Sequence, residues 1–472
     1  MRIGSHSHPG AIGSNPPHLS QAGVRDASAV AELFVGVFRR DLASFYPQVQ
    51  VTPLSSPSEP VVEPNFQLKI SQDGLILADL FGVRYQVDLR VGNRVGELDL
   101  QMVRAVGAVL SLRHQHLFQI HHSSRLELYR GGSEDHYVAA FVEPWAYAST
   151  SSRPSRVAST IQTLRTAALS TYENRRVSTG ALLLGGEGPG PPTASDALHY
   201  GVELTALKSI HRLCDGKRTV FLVDRAGKLV EVIDIARWAA RIESSETPEV
   251  PCARDYSAHA RATLTGGHVC LVLSPNQEIK LFASGSQAFA FAHGRWRLLD
   301  PSSNFAVWAR AVGDPRLARV LFQTALDLAE CRQGGLFVVI NDPAYSIGRL
   351  ISPHDLLTEE GASSPPPDLT PGDPLAKRAL HYLGRNRSVL DLDPTVLEAL
   401  AGLDGAIATD RTGRLLVFGS ILRHDASAMI GAVAEGARTT AAIIASRHGP
   451  VLKISEDGVV SCFLEGRRVW DL

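Results

Sequence analysis

The stretch that decides the fold of the C-terminal third is "AGLDGAIATDRTGRLLVFGSIL", residues 401–422. Two apolar runs flank the segment Asp410–Gly413, a pattern typical of a β-hairpin with a tight turn. The first run opens on Asp404, followed by Gly405 and Ala406. An acid ahead of an apolar strand is either a turn residue or a metal ligand. The surrounding sequence is needed to decide between these two roles.

Helices and strands alternate on both sides of this hairpin. The predicted elements are an amphipathic helix over 316–335 that ends at Gly-Gly, a buried strand over 336–342, a helix over 394–403, a helix over 436–449 and a hairpin over 450–468. The helices carry apolar residues at helical spacing, and the strands are short and apolar. This alternation indicates an α/β domain.

The chain ahead of this domain is longer than one ordinary domain. With 472 residues in all, two or three domains are expected. Residues 1–24 are polar and rich in Gly, Ser, Pro and His, which predicts a disordered leader and no secretory signal. Residues 25–310 are predicted to form an α+β region, either as one unit or as two subdomains, 25–150 and 151–310.

Within this N-terminal region, residues 25–46 and 98–112 carry apolar side chains at helical spacing. The stretches 116–131 and 136–149 alternate between apolar and polar residues, which predicts strands.

One histidine-rich run in this region resembles a metal cluster. It is "RHQHLFQIHH", residues 113–122, and on a strand His114 and His116 would share one face. No nearby Cys or Asp completes a tetrahedral set of ligands. A partly exposed strand is therefore the favoured interpretation.

A short internal echo links the two halves of the chain. "VDRAGKLVEV", residues 223–232, and "TDRTGRLLVF", residues 409–418, both contain the pattern D-R-x-G-[KR]-L. Asp-x-x-Gly between apolar strands is what any tight hairpin needs. The echo alone therefore predicts two similar turns rather than a repeated unit.

The composition excludes several functional classes. The chain is 44% apolar and 20% charged with a net charge of −1, which leaves no overall footprint for nucleic acid or anionic lipid. No apolar run is long enough to cross a bilayer. The five cysteines form no C-x-x-C pair, which favours reduced thiols in a cytoplasm. No G-x-x-x-x-G-K-[ST] loop is present, so a P-loop mechanism is not expected.

Three motifs follow one another in the C-terminal third: D-G-A at Asp404, "EGARTTAA" at 435–442 and "KISEDG" at 453–458. With the helix and buried strand before them, they resemble the diadenylate cyclase family over roughly residues 317–467. That family condenses two ATP molecules into cyclic di-AMP. The resemblance implies a mixed sheet flanked by helices, preceded here by a sensor region over 25–310.

The resemblance also implies roles for individual residues. Asp404 takes the place of an aspartate that binds a divalent metal, Mg²⁺ or Mn²⁺, and Arg438 that of an arginine that contacts phosphate. The nucleotide-binding positions that it implies are Gly405, Ala406, Gly436, Thr439, Thr440, Ser455 and Glu456. A helix start with backbone N–H groups, an arginine and two hydroxyls is also a natural phosphate site on physical grounds.

The sequence departs from the family pattern at one motif. Where the family has T-R-H-R, this chain has Ala437-Arg438-Thr439-Thr440. A lost charge-assisted phosphate contact costs about 1.5–3 kcal/mol of binding. Loss of one transition-state donor costs about 10²–10³ in rate.

These observations predict a cytoplasmic nucleotidyltransferase of the diadenylate cyclase class, acting on ATP and regulated by the N-terminal region. The family assembles its site between two protomers, which implies a homodimer or a higher homo-oligomer. The lack of a long apolar run predicts no membrane partner. The alternative is a nucleotide-binding sensor of the same fold without turnover. A structural α/β scaffold with an accidental motif match is the third interpretation.

Overall fold

The computed structural model describes residues 21–54, 66–70, 75–80, 83–89, 95–118, 125–148, 151, 153–186, 197–207, 210–243, 248–352, 355–357, 387–423 and 436–472, and all that follows concerns these residues. The helices are α1 Gln21–Ala43, α2 Glu97–Phe118, α3 Ser133–Val142, α4 Arg156–Ala168, α5 Ile210–Leu213, α6 Ile235–Ala239, α7 Ser257–Ala262, α8 Pro301–Val312, α9 Pro315–Glu330, α10 Pro343–Ser346, α11 Pro394–Ala401 and α12 Ala437–Ala445. The strands are β1 Gln50–Pro53, β2 Gln67–Ile70, β3 Ile76–Leu80, β4 Val83–Asp88, β5 Thr171–Tyr172, β6 Arg175–Arg176, β7 Thr179–Leu183, β8 Thr219–Val223, β9 Leu229–Asp234, β10 Val269–Leu273, β11 Ile279–Ala283, β12 Ser286–Ala292, β13 Arg295–Leu298, β14 Gly335–Ile340, β15 Ala406–Asp410, β16 Leu415–Ser420, β17 Val451–Ile454, β18 Val460–Leu464 and β19 Arg467–Asp471.

The described chain is a mixed α/β protein with four sheets, which confirms the predicted α/β class. The sheets have the orders β1-β4-β3-β2, β5-β6, β13-β12-β11-β10-β7-β8-β9 and β16-β15-β14-β17-β18-β19. The two large sheets are mixed, because each contains one parallel pair among antiparallel neighbours.

The two long N-terminal helices are as predicted in type but differ in their bounds. α1 begins at Gln21, so the last four residues of the predicted leader are helical, and residues 1–20 lie outside the described residues. α2 extends past the predicted 98–112 to Phe118. No helix among the described residues is both long and apolar enough to cross a membrane.

The prediction of strands over 116–131 and 136–149 is wrong for the described part of these stretches, while residues 119–124 and 149 lie outside the described residues. His114 and His116 lie in α2, and α3 and two short 3₁₀ turns occupy most of the rest. α3 buries every residue from Asp135 to Phe141, so it has no polar face to produce a helical period in the sequence. A short alternating run could not distinguish this buried helix from a strand.

The C-terminal sheet lies between two layers of helices. One face packs on a core formed with α8, α9 and α11, which includes Phe337 and Leu452. The other face packs on α12 through alternate residues of the same strands, including Val338 and Val451. All six residues of β14 are buried, as expected for the central strand of a three-layer domain.

The two large sheets share one topology. From β9 to β12 and from β16 to β19, the orders are β9-β8-β7-β10-β11-β12 and β16-β15-β14-β17-β18-β19. In both, the first strand in sequence is parallel to the second, and every other neighbouring pair is antiparallel. In the N-terminal sheet, α4 precedes the first of these strands in sequence and α7 precedes the fourth. In the C-terminal sheet, α9 and α12 hold the same two places. We call residues 156–298 the first copy and residues 315–471 the second copy.

The irregularities of the two sheets also coincide. The pairing of β11 with β12 shifts register after Leu281, and that of β18 with β19 shifts after Cys462. In both hairpins two residue pairs lie between the shift and the turn. Both hairpins then turn through two residues with positive φ, Ser284-Gly285 at 51° and 80° and Glu465-Gly466 at 50° and 80°. Bulges and turn types of this kind are specific features, so their agreement supports a repeated fold.

The sequence echo marks equivalent turns of these copies. Asp224 accepts hydrogen bonds from the backbone N–H groups two and four residues on, both over 2.8 Å. Asp410 accepts from the N–H groups two and four residues on, over 2.8 and 3.0 Å. The interpretation of the echo as plain turn chemistry without a repeat therefore needs correction, because the turns occupy one position in two copies of a fold.

Candidate functional site

The D-G-A motif lies beside the start of the central strand. β14 and β15 pair in parallel with Phe337 opposite Ile407. Asp404 precedes Ile407 by three residues and lies in the bend before β15. The acid is therefore at the amino-terminal end of β15, the end of the sheet at which β14 also begins.

The S-E-D-G turn reaches the same edge from the other side. Gly335 pairs with Ile454 in the antiparallel strand β17. One step further, Gly334 is level with Ser455, the first residue of the turn. Two of the three motifs thus reach the end of the sheet at which β14 begins, and we call this end of the sheet the site edge.

The third motif contributes Arg438, the second residue of α12. Its guanidinium lies against Gly334, where an added Cβ would be 2.8 Å from Arg438 Cζ. The Nη1 atom is 3.7 Å from Glu456 Oε1, and the Glu456 side chain is 76% exposed. An ion pair this exposed contributes only about 0–1 kcal/mol, so an arriving phosphate can replace it.

Asp404 is exposed in the turn between α11 and β15. Among the described residues, its carboxylate makes no hydrogen bond and no ion pair. The neighbouring acids behave differently, because Asp393 accepts from Thr395 N over 2.9 Å and Asp410 holds the hairpin turn. A local turn bond therefore does not account for Asp404.

The first copy offers an internal comparison for this acid. It has Asp215-Gly216 before β8, where the second copy has Asp404-Gly405 before β15. Asp215 Oδ1 accepts from three successive backbone N–H groups over 2.7 to 3.0 Å. Burial opposes its ionisation, but these hydrogen bonds and the Arg218 side chain lower its pKa to about 2. The acid of the first copy is a turn residue, whereas that of the second copy is open.

Gly405 and Ala406 have structural roles in the packing of β15. Gly405 has a φ of +115°, and an added Cβ would lie 2.5 to 2.8 Å from the backbone of Gly419 and Ser420. Only glycine tolerates both conditions. Ala406 is 1% exposed and opens β15 within the core.

At the start of α12, one threonine is buried and the hydroxyl of the other is hydrogen-bonded. Gly436 forms the N-cap with a φ of +102° and provides no side-chain cap, so the first backbone N–H groups have no side-chain acceptor there. Thr439 is 4% exposed. Thr440 Oγ1 donates to the Gly436 carbonyl over 3.2 Å. Arg438 and the helix N–H groups are therefore the groups of this motif that remain for an anion.

Gly334 was not among the predicted site residues. From sequence, the Gly-Gly pair after α9 predicts only the end of a helix, which is the common role of glycine there. The signal that distinguishes it is tertiary, because only the register of three strands and the position of α12 show what surrounds it.

Two ion-pair groups join the first copy to the segments that carry the site. Arg332, two residues before Gly334, donates to the Asp457 carbonyl of the S-E-D-G turn and pairs with Glu278 of the first copy. Lys280 of the first copy, with a side chain 6% exposed, lies 3.2 Å from Glu278 and 2.7 Å from Glu330.

The second group involves the helix that leads into Asp404. Arg254 of the first copy lies 2.6 Å from Glu398 on α11 and 3.1 Å from Asp327 on α9. Burial raises the pKa of Asp327 to about 6 against the effect of Arg254. Ion pairs therefore join the first copy to the segments that precede β14 and Asp404.

No protein-family model and no curated protein matches this sequence. The resemblance to diadenylate cyclases therefore stays a prediction from the three sequence motifs.

Proposed function

We propose that the second copy is a nucleotidyltransferase of the diadenylate cyclase type, which condenses two ATP molecules into cyclic di-AMP. The observation that carries the proposal is that the three motifs reach one end of the sheet: Arg438 lies against Gly334, Ser455 follows the Gly335–Ile454 pair, and Asp404 precedes β15. These motifs are separated by long stretches of sequence, and an accidental match would not be expected to meet at one edge of a sheet.

The reaction needs charge compensation more than covalent chemistry. The 3′-hydroxyl oxygen of one ATP forms a bond to the α-phosphorus of the other, and pyrophosphate leaves with the electrons of the bond that breaks. The hydroxyl proton passes to solvent. Arg438 would exchange its exposed contact with Glu456 for phosphate oxygens, aided by the N–H groups at the start of α12.

A divalent metal fits this site only together with the nucleotide. Among the described residues, no group of three or more His, Cys, Asp or Glu side chains could hold a metal ion. Mg²⁺ commonly uses one or two carboxylates with substrate phosphates and water, and Asp404 is an open carboxylate of that kind. When bound, Mg²⁺ or Mn²⁺ would neutralise charge on the phosphates.

The site edge is exposed, so a second protomer can meet it. Each protomer would supply one ATP, with the 3′-hydroxyl of each facing the α-phosphorus of the other, which implies a homodimer. A chain that consumes ATP would act in the cytoplasm. The ion pairs of Arg332 and Arg254, which link the first copy to the second, support regulation by the N-terminal region.

The test is an incubation of the purified chain with ATP and Mn²⁺, followed by mass analysis of the products. Cyclic di-AMP, or its linear dinucleotide precursor, is expected. The proposal fails if neither forms, or if Asp404→Asn forms as much product as the unchanged chain.

A second candidate is a nucleotide-binding sensor without turnover. The observation that favours it is the state of the two threonines, because Thr439 is buried and Thr440 bonds its own helix, and neither supplies the charge of the family motif. Calorimetry with ATP and with cyclic di-AMP separates the candidates. Binding of either ligand without product formation supports the sensor, and binding of neither excludes both.

A further inference from the structure

The N-terminal region contains a cavity of about 660 Å³. It lies between α3, the start of α4 and the turn from β8 to β9, at the carboxyl end of the parallel pair β7 and β8. In α/β sheets, ligands bind outside the carboxyl ends of parallel strands, and a cavity of this size accommodates a small organic ligand. The site edge of the second copy lies at the amino-terminal end of its parallel pair, so the two locations differ.

The charge of the cavity wall is strongly positive. Its lining includes five arginines and two glutamates, which are Arg125, Arg130, Arg153, Arg156, Arg225, Glu127 and Glu203. Arg125 is neutralised by Glu127 over 2.7 Å, and Arg156 by Glu143 over 2.8 Å. Arg130 and Arg153 then stand against Glu203, a local excess of positive charge that favours an anionic ligand.

Two of the remaining arginines are available. Arg130 and Arg153 are both exposed, and within the described part of the chain neither side chain forms an ion pair. The backbone of each is fixed, because His136 Nε2 contacts the Arg130 carbonyl over 2.8 Å and Arg125 donates to the Arg153 carbonyl over 3.3 Å. A guanidinium on an anchored backbone suits paired hydrogen bonds to phosphate.

The helix start that borders the cavity does not supply the anion site. Glu143 already accepts from Ser155 Oγ over 2.8 Å and from Val157 N over 3.2 Å at the first turn of α4. The acceptor position at this helix end is filled by the protein's own carboxylate. An external anion would therefore be held by the arginines.

The cavity also contains an exposed aromatic surface. Trp145 is 45% exposed although it lines a cavity, and Arg156 Cζ lies 6.0 Å from its ring centroid. The neighbouring rings Tyr147 and Tyr200 are buried and form the wall. Aromatic side chains of this kind stack on the planar bases of nucleic acids, so the exposed indole suits a nucleotide base.

The second copy does not repeat this arrangement. Its counterpart of Arg225 is Arg411, which donates from Nη1 to the Val312 carbonyl at the end of α8 over 3.4 Å. α8 therefore borders the corresponding edge, which in the first copy faces the cavity. Arg130, Trp145 and Arg153 precede residue 156 and lie outside the first copy, so the feature is not a consequence of the shared topology.

We propose that this cavity is the ligand site of the sensor region and that it binds a nucleotide, with phosphate at Arg130 and Arg153 and the base on Trp145. The assignment does not depend on catalysis by the second copy.

The test is calorimetry with ATP on the full chain carrying Arg438→Ala, which weakens the proposed catalytic site. About one ATP per chain is expected to bind. Adding Arg130→Ala and Arg153→Ala should weaken that binding at least tenfold, whereas Arg175→Ala, an exposed arginine of the β5–β6 hairpin, should leave it unchanged. Equal affinity in the double variant and in Arg175→Ala overturns the proposal.

Tryptophan fluorescence provides the second readout. Saturable quenching by ATP is expected, and it should disappear in Trp145→Phe while Asp404→Asn retains it. Inorganic phosphate that binds as tightly as ATP, with no loss of affinity for ATP in Trp145→Ala, overturns the nucleotide assignment. Quenching that Asp404→Asn abolishes would assign the signal to the second copy and also overturns it.

Discussion

The guanidinium of Arg438 lies against the α-carbon of Gly334, and an added Cβ there would be 2.8 Å from Arg438 Cζ. This contact joins the start of α12 to the start of the central strand. It also places the Arg438 guanidinium at the site edge. The arginine has room in the site only because residue 334 has no side chain.

Gly334→Ala is therefore expected to act as a substitution of Arg438. The new methyl group meets the flexible end of a partly exposed side chain, so the arginine moves while the fold remains. Nucleotide turnover should fall about 10²–10³-fold, as for loss of one transition-state donor. The midpoint of thermal unfolding should change by only a few degrees.

Gly36→Ala is the matched control, because an added Cβ in α1 meets nothing within 4 Å. Normal turnover in both glycine variants would show that the position of Arg438 is unimportant for activity.

Thr440→Arg is expected to restore part of the charge that the motif lacks. The threonine is half-buried and its hydroxyl is hydrogen-bonded only to its own helix. An arginine at this position can therefore extend toward solvent at the amino-terminal end of α12, where phosphate is proposed to bind. A new charge-assisted contact of about 1.5–3 kcal/mol should tighten ATP binding roughly 10- to 100-fold. Calorimetry at low and high salt measures it, since the gain should shrink with salt.

Thr440→Val is the control for this variant and should leave ATP affinity within about twofold. If Thr440→Arg binds ATP no better than Thr440→Val, phosphate is not held at this end of α12.

Arg254→Ala is expected to lower turnover, because α11, the helix that precedes Asp404, loses an ion pair that holds it in position. Arg254 joins the first copy to Glu398 on α11, the helix that ends before Asp404. A displacement of about 1 Å can cost 10²-fold in rate, and we expect about tenfold here. Steady-state kinetics should show the loss in kcat.

The control is Arg319→Ala, which removes the exposed pair with Glu249 at the other end of α9. Equal effects of Arg254→Ala and Arg319→Ala on kcat would mean that no specific coupling passes through α11.

Much of the second copy could be predicted from sequence because its elements have clear polar faces and clear stops. α9, β14, α11, α12 and both hairpins lie where the apolar spacing predicted them. α3 could not be recognised, since seven of its ten residues are buried. β19, after Gly466, was also missed, although Glu465-Gly466 is a two-residue turn with positive φ at both positions.

The site was predictable in its motifs and not in its geometry. Asp404 and Arg438 are recognisable by residue type and spacing, but Gly334 acquires its role from strands paired across the whole domain. The repeated fold was hidden for a related reason. The copies keep the turn chemistry of Asp224 and Asp410, while the strands around it need only be apolar.

His259 provides a prediction for the pH dependence of stability. Its ring is fully buried against the Gly216 carbonyl, and burial lowers its pKa from 6.5 to about 4. Between pH 6.5 and 4 the unfolded chain binds a proton that the folded chain does not. The free energy of unfolding should therefore decrease as the pH is lowered through this window. The decrease from this group is up to about 1.4 kcal/mol per pH unit. Above pH 6.5 the contribution of His259 to stability should be fully present.

Thermal unfolding at pH 7.5 and at pH 5 measures this effect. His259→Gln should flatten the difference between the two midpoints, while His199→Gln, at an exposed position, should leave it as it is. An unchanged pH difference in His259→Gln would contradict the assignment.

The most direct test of the central claim compares two aspartates of the second copy in one reaction. Asp404 heads β15 at the site edge, and Asp391 is an exposed acid ahead of α11. The chain, Asp404→Asn and Asp391→Asn are each incubated with ATP and Mn²⁺, and cyclic di-AMP is quantified by mass. We predict product from the unchanged chain and from Asp391→Asn, and at least a hundredfold less from Asp404→Asn. Equal product from all three, or none from the unchanged chain, would contradict the account.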